Sequence, residues 1–241
     1  MAKILAALVP YTPEQRQKAL AAAHRIKNPG DRTHVLMALL PHMAEPDRAP
    51  ILHEVLTIAQ TIADFGHRAM RFIALLPQVA ESDRPLILKK ALAAAKAIKD
   101  SESRVQTLMA LAPYQPKEVV VAARAIERTE DKARILVALV PHIAEEDRVQ
   151  VLKEALTAAH MIADRIEVFN VLMALVPCLT EQSRELALQQ ALTTVRTIKD
   201  SEDQAAGLKT LAPYEPEAVL AAALATKDSG LQLQVLGRVV S

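Results

Sequence analysis

The sequence predicts an all-α protein, specifically an α-solenoid built as a superhelical stack of antiparallel helix hairpins, and three observations carry that prediction. About half of the 241 residues are apolar, only five are glycine, Trp is absent, and Phe and Tyr number three each. That palette suits helices packed through small and aliphatic side chains. A phrase also recurs: "LVPYTPE" at 8–14 returns as "LAPYQPK" at 111–117 and "LAPYEPE" at 211–217. Finally, block-opening prolines stand at Pro10, Pro41, Pro77, Pro113, Pro141, Pro177 and Pro213, with spacings of 31, 36, 36, 28, 36 and 36.

The spacings are themselves periodic. Pro41 to Pro141, Pro77 to Pro177 and Pro113 to Pro213 each span 100 residues, and "PHMAEPDR" at 41–48 answers "PHIAEEDR" at 141–148. A long, long, short triplet has been duplicated, and fixed periods of this size mark stacked supersecondary units. The predicted organisation is one domain over 1–241. It comprises a half hairpin at 1–9 and blocks at 10–40, 41–76, 77–112, 113–140, 141–176, 177–212 and 213–241.

Each long block opens with an amphipathic helix, as in Leu52, Val55, Leu56, Ala59, Ile62 and Ala63 against His53, Glu54, Gln60 and Thr61. Asp47, Asp83, Asp147 and Ser183 are its predicted N-caps, with Pro50 and Pro85 in the first turn. The helix stops near "IADFG", "IKDSE", "IADRI" and "IKDSE", where Ser101 or Ser201 is placed to cap a second helix such as "RVQTLMALA" at 104–112. The predicted lengths are about 16 and about 11 residues, with the next proline ending the pair. Short blocks lack eight residues, close to two helical turns, so Pro116 and Pro216 fall near the first position of a truncated helix. Pro13 does the same after Thr12. Every third hairpin would then leave a notch on one edge.

Lys plus Arg number 29 against 28 for Asp plus Glu, so the chain lacks the positive excess that phosphate binding requires, and no nucleic-acid partner is expected. The single Cys178 excludes an intramolecular disulfide and fits a reducing, cytoplasmic setting. "MAKILAALVP" is too short for a signal-peptide core or a membrane span, and no membrane association is expected.

"ALAAAKAIKDSESRVQTLMALAPY" (91–114) and "EALTAAHMIADRIEVFNVLMALVP" (154–177) resemble the degenerate 36-residue helix-hairpin repeats found beside NACHT-type and other STAND NTPase modules in bacterial signalling proteins. The resemblance, akin to tetratricopeptide and HEAT arrays, implies a protein-binding scaffold or sensor segment. The tetratricopeptide signature itself is not met, and no phosphate-binding glycine motif occurs.

No enzyme chemistry, cofactor or metal site is predicted. "HE" at 53–54 is followed by Thr57 where a zinc-binding H-E-x-x-H needs histidine, and His42 and His142 are duplicated loop positions. Cys178 answers Gln78, His42 and His142, a variable loop position with no base nearby in sequence. The candidate partner-binding residues are Arg48, Arg84, Arg148 and Arg184, one per long block, and Tyr11, Tyr114 and Tyr214, the only tyrosines. Two roles fit the arginines: a charge pair with Glu45, Glu81, Glu145 and Glu181 that orders the loop, or an edge that grips acidic groups on a protein or peptide. The tyrosines either cover the gap left by the missing turns or line the notches as anchors.

The ends read as "KILAALV" (3–9), a second helix without its first, and "LQLQVLGRVVS" (231–241), an apolar pattern without a polar cap. These suggest an array cut from a longer one, or end-to-end self-association. In light scattering over a concentration series, end-to-end contact would raise the mean mass; a constant monomer mass removes it.

Overall fold

The computed structural model describes residues 13–43, 45–226 and 228–239, and every regular element among them is helical. First helices of successive blocks are α1 (Pro13–His24), α3 (Glu45–Thr61), α5 (Arg84–Ala97), α7 (Pro116–Arg124), α9 (Glu145–Met161), α11 (Glu181–Arg196) and α13 (Pro216–Ala225). Second helices are α2 (Pro29–Leu39), α4 (Phe65–Leu75), α6 (Ser101–Leu111), α8 (Thr129–Leu139), α10 (Arg165–Leu175), α12 (Ser201–Leu211) and α14 (Ser229–Val239). All seven described second helices are 11 residues long, whereas first helices run from 9 residues in α7 to 17 in α3 and α9. The shortening therefore falls on the first helix and the loop that leads into it, and leaves the second helix unchanged.

Proline and polar caps set these boundaries. Pro116 and Pro216 begin α7 and α13, where a missing N–H costs nothing because the first amides have no intrahelical partner. Each long block opens on a 3-10 turn that follows the second helix of the block before it, Leu40–His42, Leu76–Gln78, Val140–His142 and Val176–Cys178, each with proline at its centre. Proline cannot donate the next i to i−4 bond, so the chain tightens and turns.

The predicted caps need correction. Asp147 and Ser183 lie in the third position of α9 and α11, whose N-caps are Ala144 and Thr180. Acidic residues spread over the whole first turn favour the positive end of the helix, so the helix extends back to the glutamate. Only Asp83 is an N-cap, and its side chain makes no capping bond. Pro85 falls in the first turn of α5, but Pro50 is the sixth residue of α3 and exposed, an interior proline rather than a first-turn one. For second helices the cap lies one residue before Ser101 and Ser201: Asp100 and Asp200 accept from the amides of Ser103 and Asp203 at 2.8 and 3.0 Å. Asn28, Asp64, Asp164 and Asp228 do the same to the amide three residues on. Aspartate wins because its oxygen reaches that amide from an extended backbone, which serine at the next, already helical, position cannot do.

Two residues before Asp64, Asp100, Asp164 and Asp200 stands isoleucine. Ile62, Ile98, Ile162 and Ile198 are buried just beyond the ends of their first helices. Burial of one such side chain contributes about 1.5–3 kcal/mol and the cap about 1 kcal/mol, so Ile-x-Asp fixes both the end of one helix and the start of the next.

The fold forms two compact units, Met1–Val119 and Val120–Ser241, divided inside α7. In the first, each described helix packs on the next, and second helices also meet second helices, α2 with α4 and α4 with α6. Ala23, Val35, Leu36, Val55 and Leu75 lie at the heart of its core. In the second, α8 meets α10 and α12 meets α14 in the same way. On α3 the buried side is Ile51, Val55, Ile58 and Ala59; Leu52 and Leu56 are half-buried, and Ala63, placed on the apolar face by its spacing, is exposed.

One glycine answers to close packing. A Cβ on Gly207 of α12 would stand 2.7 Å from Val195 Cγ2 on α11 and 3.7 Å from Phe169 Cε1 on α10. Gly207→Ala gains about 0.8–1.0 kcal/mol of helix propensity. It loses about 1–3 kcal/mol to overpacking against a β-branched neighbour with little freedom to move. The urea midpoint should therefore fall, and Val195→Ala should restore it in the double variant; an unchanged or higher midpoint for Gly207→Ala alone would contradict this packing.

Candidate functional site

The arginine series is turned onto its own loops. Arg84 Nη1 stands 3.5 Å from Glu81 Oε1, and Arg148 pairs with Glu145 while donating to the Ile143 carbonyl at 3.3 Å. Arg184 reaches past Glu181 and donates to two backbone oxygens, those of Val176 at 3.2 Å and Leu179 at 3.1 Å. Arg48 is engaged as well. The guanidiniums of Arg148 and Arg184 donate to backbone carbonyls of the proline turns, a loop-ordering task. The turns of blocks 141–176 and 177–212 adjoin, and a depression of about 340 Å³ between them is lined by Arg148, Pro141, Pro177 and the half-buried Cys178.

Tyr114 and Tyr214 are each a little under half exposed, held by backbone bonds from their amides to Leu111 and Leu211. Tyr11, with Thr12 and the segment 3–9, lies outside the described residues. The depression beside the short helix α13, about 250 Å³, is lined by Arg196, Gln204, Leu208, Ala222, Ala225 and Thr226, and Tyr214 is not among them.

A different set of residues joins neighbouring blocks. Arg124 on α7 and Glu154 on α9 form a two-pronged pair, Nε to Oε2 at 2.9 Å and Nη2 to Oε1 at 2.8 Å. His24 Nε2 on α1 meets Glu54 Oε2 on α3 at 3.0 Å, and Gln190 Nε2 on α11 meets His160 Nε2 on α9 at 2.6 Å. All three span 30 residues and link one first helix to the next. Since His160 Nδ1 lies 2.6 Å from the Leu156 carbonyl, Nδ1 carries the proton and Nε2 accepts from the Gln190 amide. The signal was in the sequence: the 100-residue period lays Arg124 and Glu154 over His24 and Glu54, but only pairing across helices reveals it.

Between α9 and α11, floored by Val168 and Leu172 of α10, lies an open groove of about 640 Å³. Its walls include Leu156, Ala159 and the 61% exposed Leu186, and its polar groups are amides, hydroxyls, His160 and Arg165. Sequence reasoning missed it, because Leu and Ala at helical spacing read the same whether a neighbour covers them or not. No group of three or more His, Cys, Asp or Glu among the described residues is placed to hold a metal ion, and no described helix is long and apolar enough to cross a membrane. No protein-family model matches this chain, and no curated protein matches it either.

Arg124 holds the Glu154 carboxyl below the ordinary range, chiefly by its hydrogen bonds, and Gln150 adds a weaker one; Arg124 is raised in turn. A depressed carboxylate stabilises the fold above its unfolded value, about 4.3, and the contribution is lost as pH falls through the lower folded value. Because Arg124 is half exposed, the pair contributes no more than about 1 kcal/mol. The stability gap between the native chain and Glu154→Gln should be constant near neutral pH and shrink below about pH 4.3. A gap independent of pH down to acid unfolding would show that the bridge is idle.

Proposed function

We propose that the chain is a non-catalytic binding scaffold whose helical repeats present a surface to another protein or peptide. The α9–α11 groove carries this reading, since an open apolar trough with a few polar groups is what a partner's side chains enter. The stacking of second helix on second helix within each unit, with first helices tied by side-chain bridges, supports reading the chain as an α-solenoid of helix hairpins. By analogy of repeat pattern, the chain would serve as a cytoplasmic sensor or scaffold segment like the arrays beside NACHT and STAND modules. The alternative is a spacer or self-assembling unit with no distinct ligand.

Affinity capture from a nuclease-treated bacterial extract tests this. The native chain should retain a protein in stoichiometric amount. Loss of that protein with Arg48→Glu/Arg148→Glu places the contact on the loop edge, and loss with Leu186→Glu places it on the groove. Recovery of the chain alone overturns the scaffold reading in favour of the spacer.

A further inference from the structure

The two units have diverged in charge. Residues 1–119 carry 16 Lys and Arg against 11 Asp and Glu, whereas residues 120–241 carry 13 against 17. Three of the differences fall on one second helix. Each residue of α4 has a counterpart 100 positions on in α10, and His67 stands where α10 has Glu167, Arg68 where it has Val168, and Arg71 where it has Val171. As a result α4 carries three basic side chains and no carboxylate. Arg68 is occupied at the corner, its Nε donating to the Ile62 carbonyl at 2.7 Å and its guanidinium 4.8 Å from the Phe65 ring centre. His67 and Arg71, four residues apart, are neighbours on the outward side.

In the second unit the chain fills the same place itself. Glu167 Oε1 of α10 lies 3.7 Å from Arg134 Nε of α8, the second helix on which α10 packs. In the first unit the counterpart of Arg134 is His34 on α2 and that of Glu167 is His67, so the carboxylate is gone. What joins α2 to α4 there is a contact between two basic groups, Arg71 Nη1 to His34 Nδ1 at 3.4 Å, long for a hydrogen bond. Arg71 pairs with no carboxylate among the described residues. Of the acids close in sequence, Asp64 is committed to the cap of α4, accepting from the His67 amide at 2.7 Å with His67 Nδ1 3.0 Å away, and Asp31, one turn before His34, is the one acidic residue of α2. Three basic groups thus stand where the duplicated copy sets one sign against the other.

The face around this cluster is open to solvent. His34 and His67 are exposed, and Met70 on α4, 46% exposed, and Ala74 beside it offer an apolar strip. A guanidinium matches the two oxygens of a carboxylate with paired donors, and imidazoles add further donors to the same group. We infer that the α2–α4 face of the first unit binds an acidic segment of a partner protein, an Asp or Glu carboxylate of that segment held by His34, His67 and Arg71 with an apolar side chain next to it on Met70. The duplicated copy supplies the chemistry, since the group that meets Arg134 in the second unit is a glutamate side chain. A nucleic-acid backbone is disfavoured, because the chain as a whole has 29 basic residues against 28 acidic ones and no excess to neutralise a row of phosphates. The inference rests on the scaffold reading and deepens it by naming the chemistry of the partner.

A phage-displayed library of random 12-residue peptides panned on the full chain, followed by fluorescence-anisotropy titration of fluorescein-labelled winners, tests it. Winners should be rich in Asp and Glu with an apolar residue close by, and their affinity should fall as salt is raised. The triple variant His34→Arg/His67→Glu/Arg71→Val writes the residues of α8 and α10 into α2 and α4, so it should keep the urea midpoint and weaken the winners by about tenfold or more. Arg71→Met, which removes the charge and keeps the reach of the side chain, should weaken them as well and carries the test if the triple variant does not fold. Neutral or basic winners, or acidic winners indifferent to these variants, overturn the inference. Acidic winners lost instead with Leu186→Glu or Arg148→Glu/Arg184→Glu overturn the α2–α4 face and leave the scaffold reading standing. A fluorescein-labelled single-stranded oligonucleotide that binds more tightly than any winner, and is released by the same substitutions, reassigns the cluster to phosphate and overturns the peptide. No enrichment overturns the face, while the capture experiment judges the broader reading independently.

Discussion

The corner between the two helices of a block is the constraint on which everything else rests. A first helix must stop, the chain must reverse within three or four residues, and a second helix must start with its leading amides satisfied. Ile62, Ile98, Ile162 and Ile198 bury the stop, and Asp64, Asp100, Asp164 and Asp200 cap the start. Because both events are tied to residues two apart, the angle between the helices is set locally, and seven second helices of one length follow. Block 113–140 keeps Ile126 but has Arg128 at the cap, where no side-chain bond forms; Arg128 lies instead 3.8–3.9 Å from Glu130 and the buried Asp131. The hydrophobic half of the corner alone is enough to turn the chain there.

Once corners are fixed, the two helix sets face different demands. Second helices meet one another directly, and Gly207 on α12 leaves room for Val195 of α11 and Phe169 of α10. Several first helices are held to their neighbours by long polar side chains, His24 to Glu54, Arg124 to Glu154 and His160 to Gln190. Polar bridges between helices contribute less than core packing, yet they hold a spacing without filling it. Where such a spacing stays unfilled, as between α9 and α11, a groove remains, and which side chains line it depends on the block.

Duplication makes that dependence readable. Each residue has a counterpart 100 positions away, so a departure stands out against its own template: Val168 against Arg68, Phe169 against Ala69, Gly207 against Thr107. The last two belong together, since the larger Phe169 packs toward the space that Gly207 leaves. Val168 puts a buried apolar side chain where Arg68 carries a donor. The loop arginines show the opposite pattern, the same residue kept in four blocks and tied to the loop in different ways, to Glu81, to Glu145 and Ile143, or to two carbonyls.

The amino-acid order by itself determined the helical class, the second-helix length and the proline that opens each truncated helix, because these follow from spacing and from proline's missing donor. It misplaced the caps by one to three residues, since serine and aspartate are both good caps and only backbone geometry at each position chooses between them. It paired Arg84 with Glu81 and Arg148 with Glu145, but not Arg148 with the Ile143 carbonyl or Arg184 with those of Val176 and Leu179, since no sequence distinguishes one backbone carbonyl from another. The bridges and the groove were decided by tertiary structure alone: a contact 30 residues apart, or an apolar face left uncovered, depends on which helices become neighbours and how closely, and side-chain spacing along one helix carries no record of that.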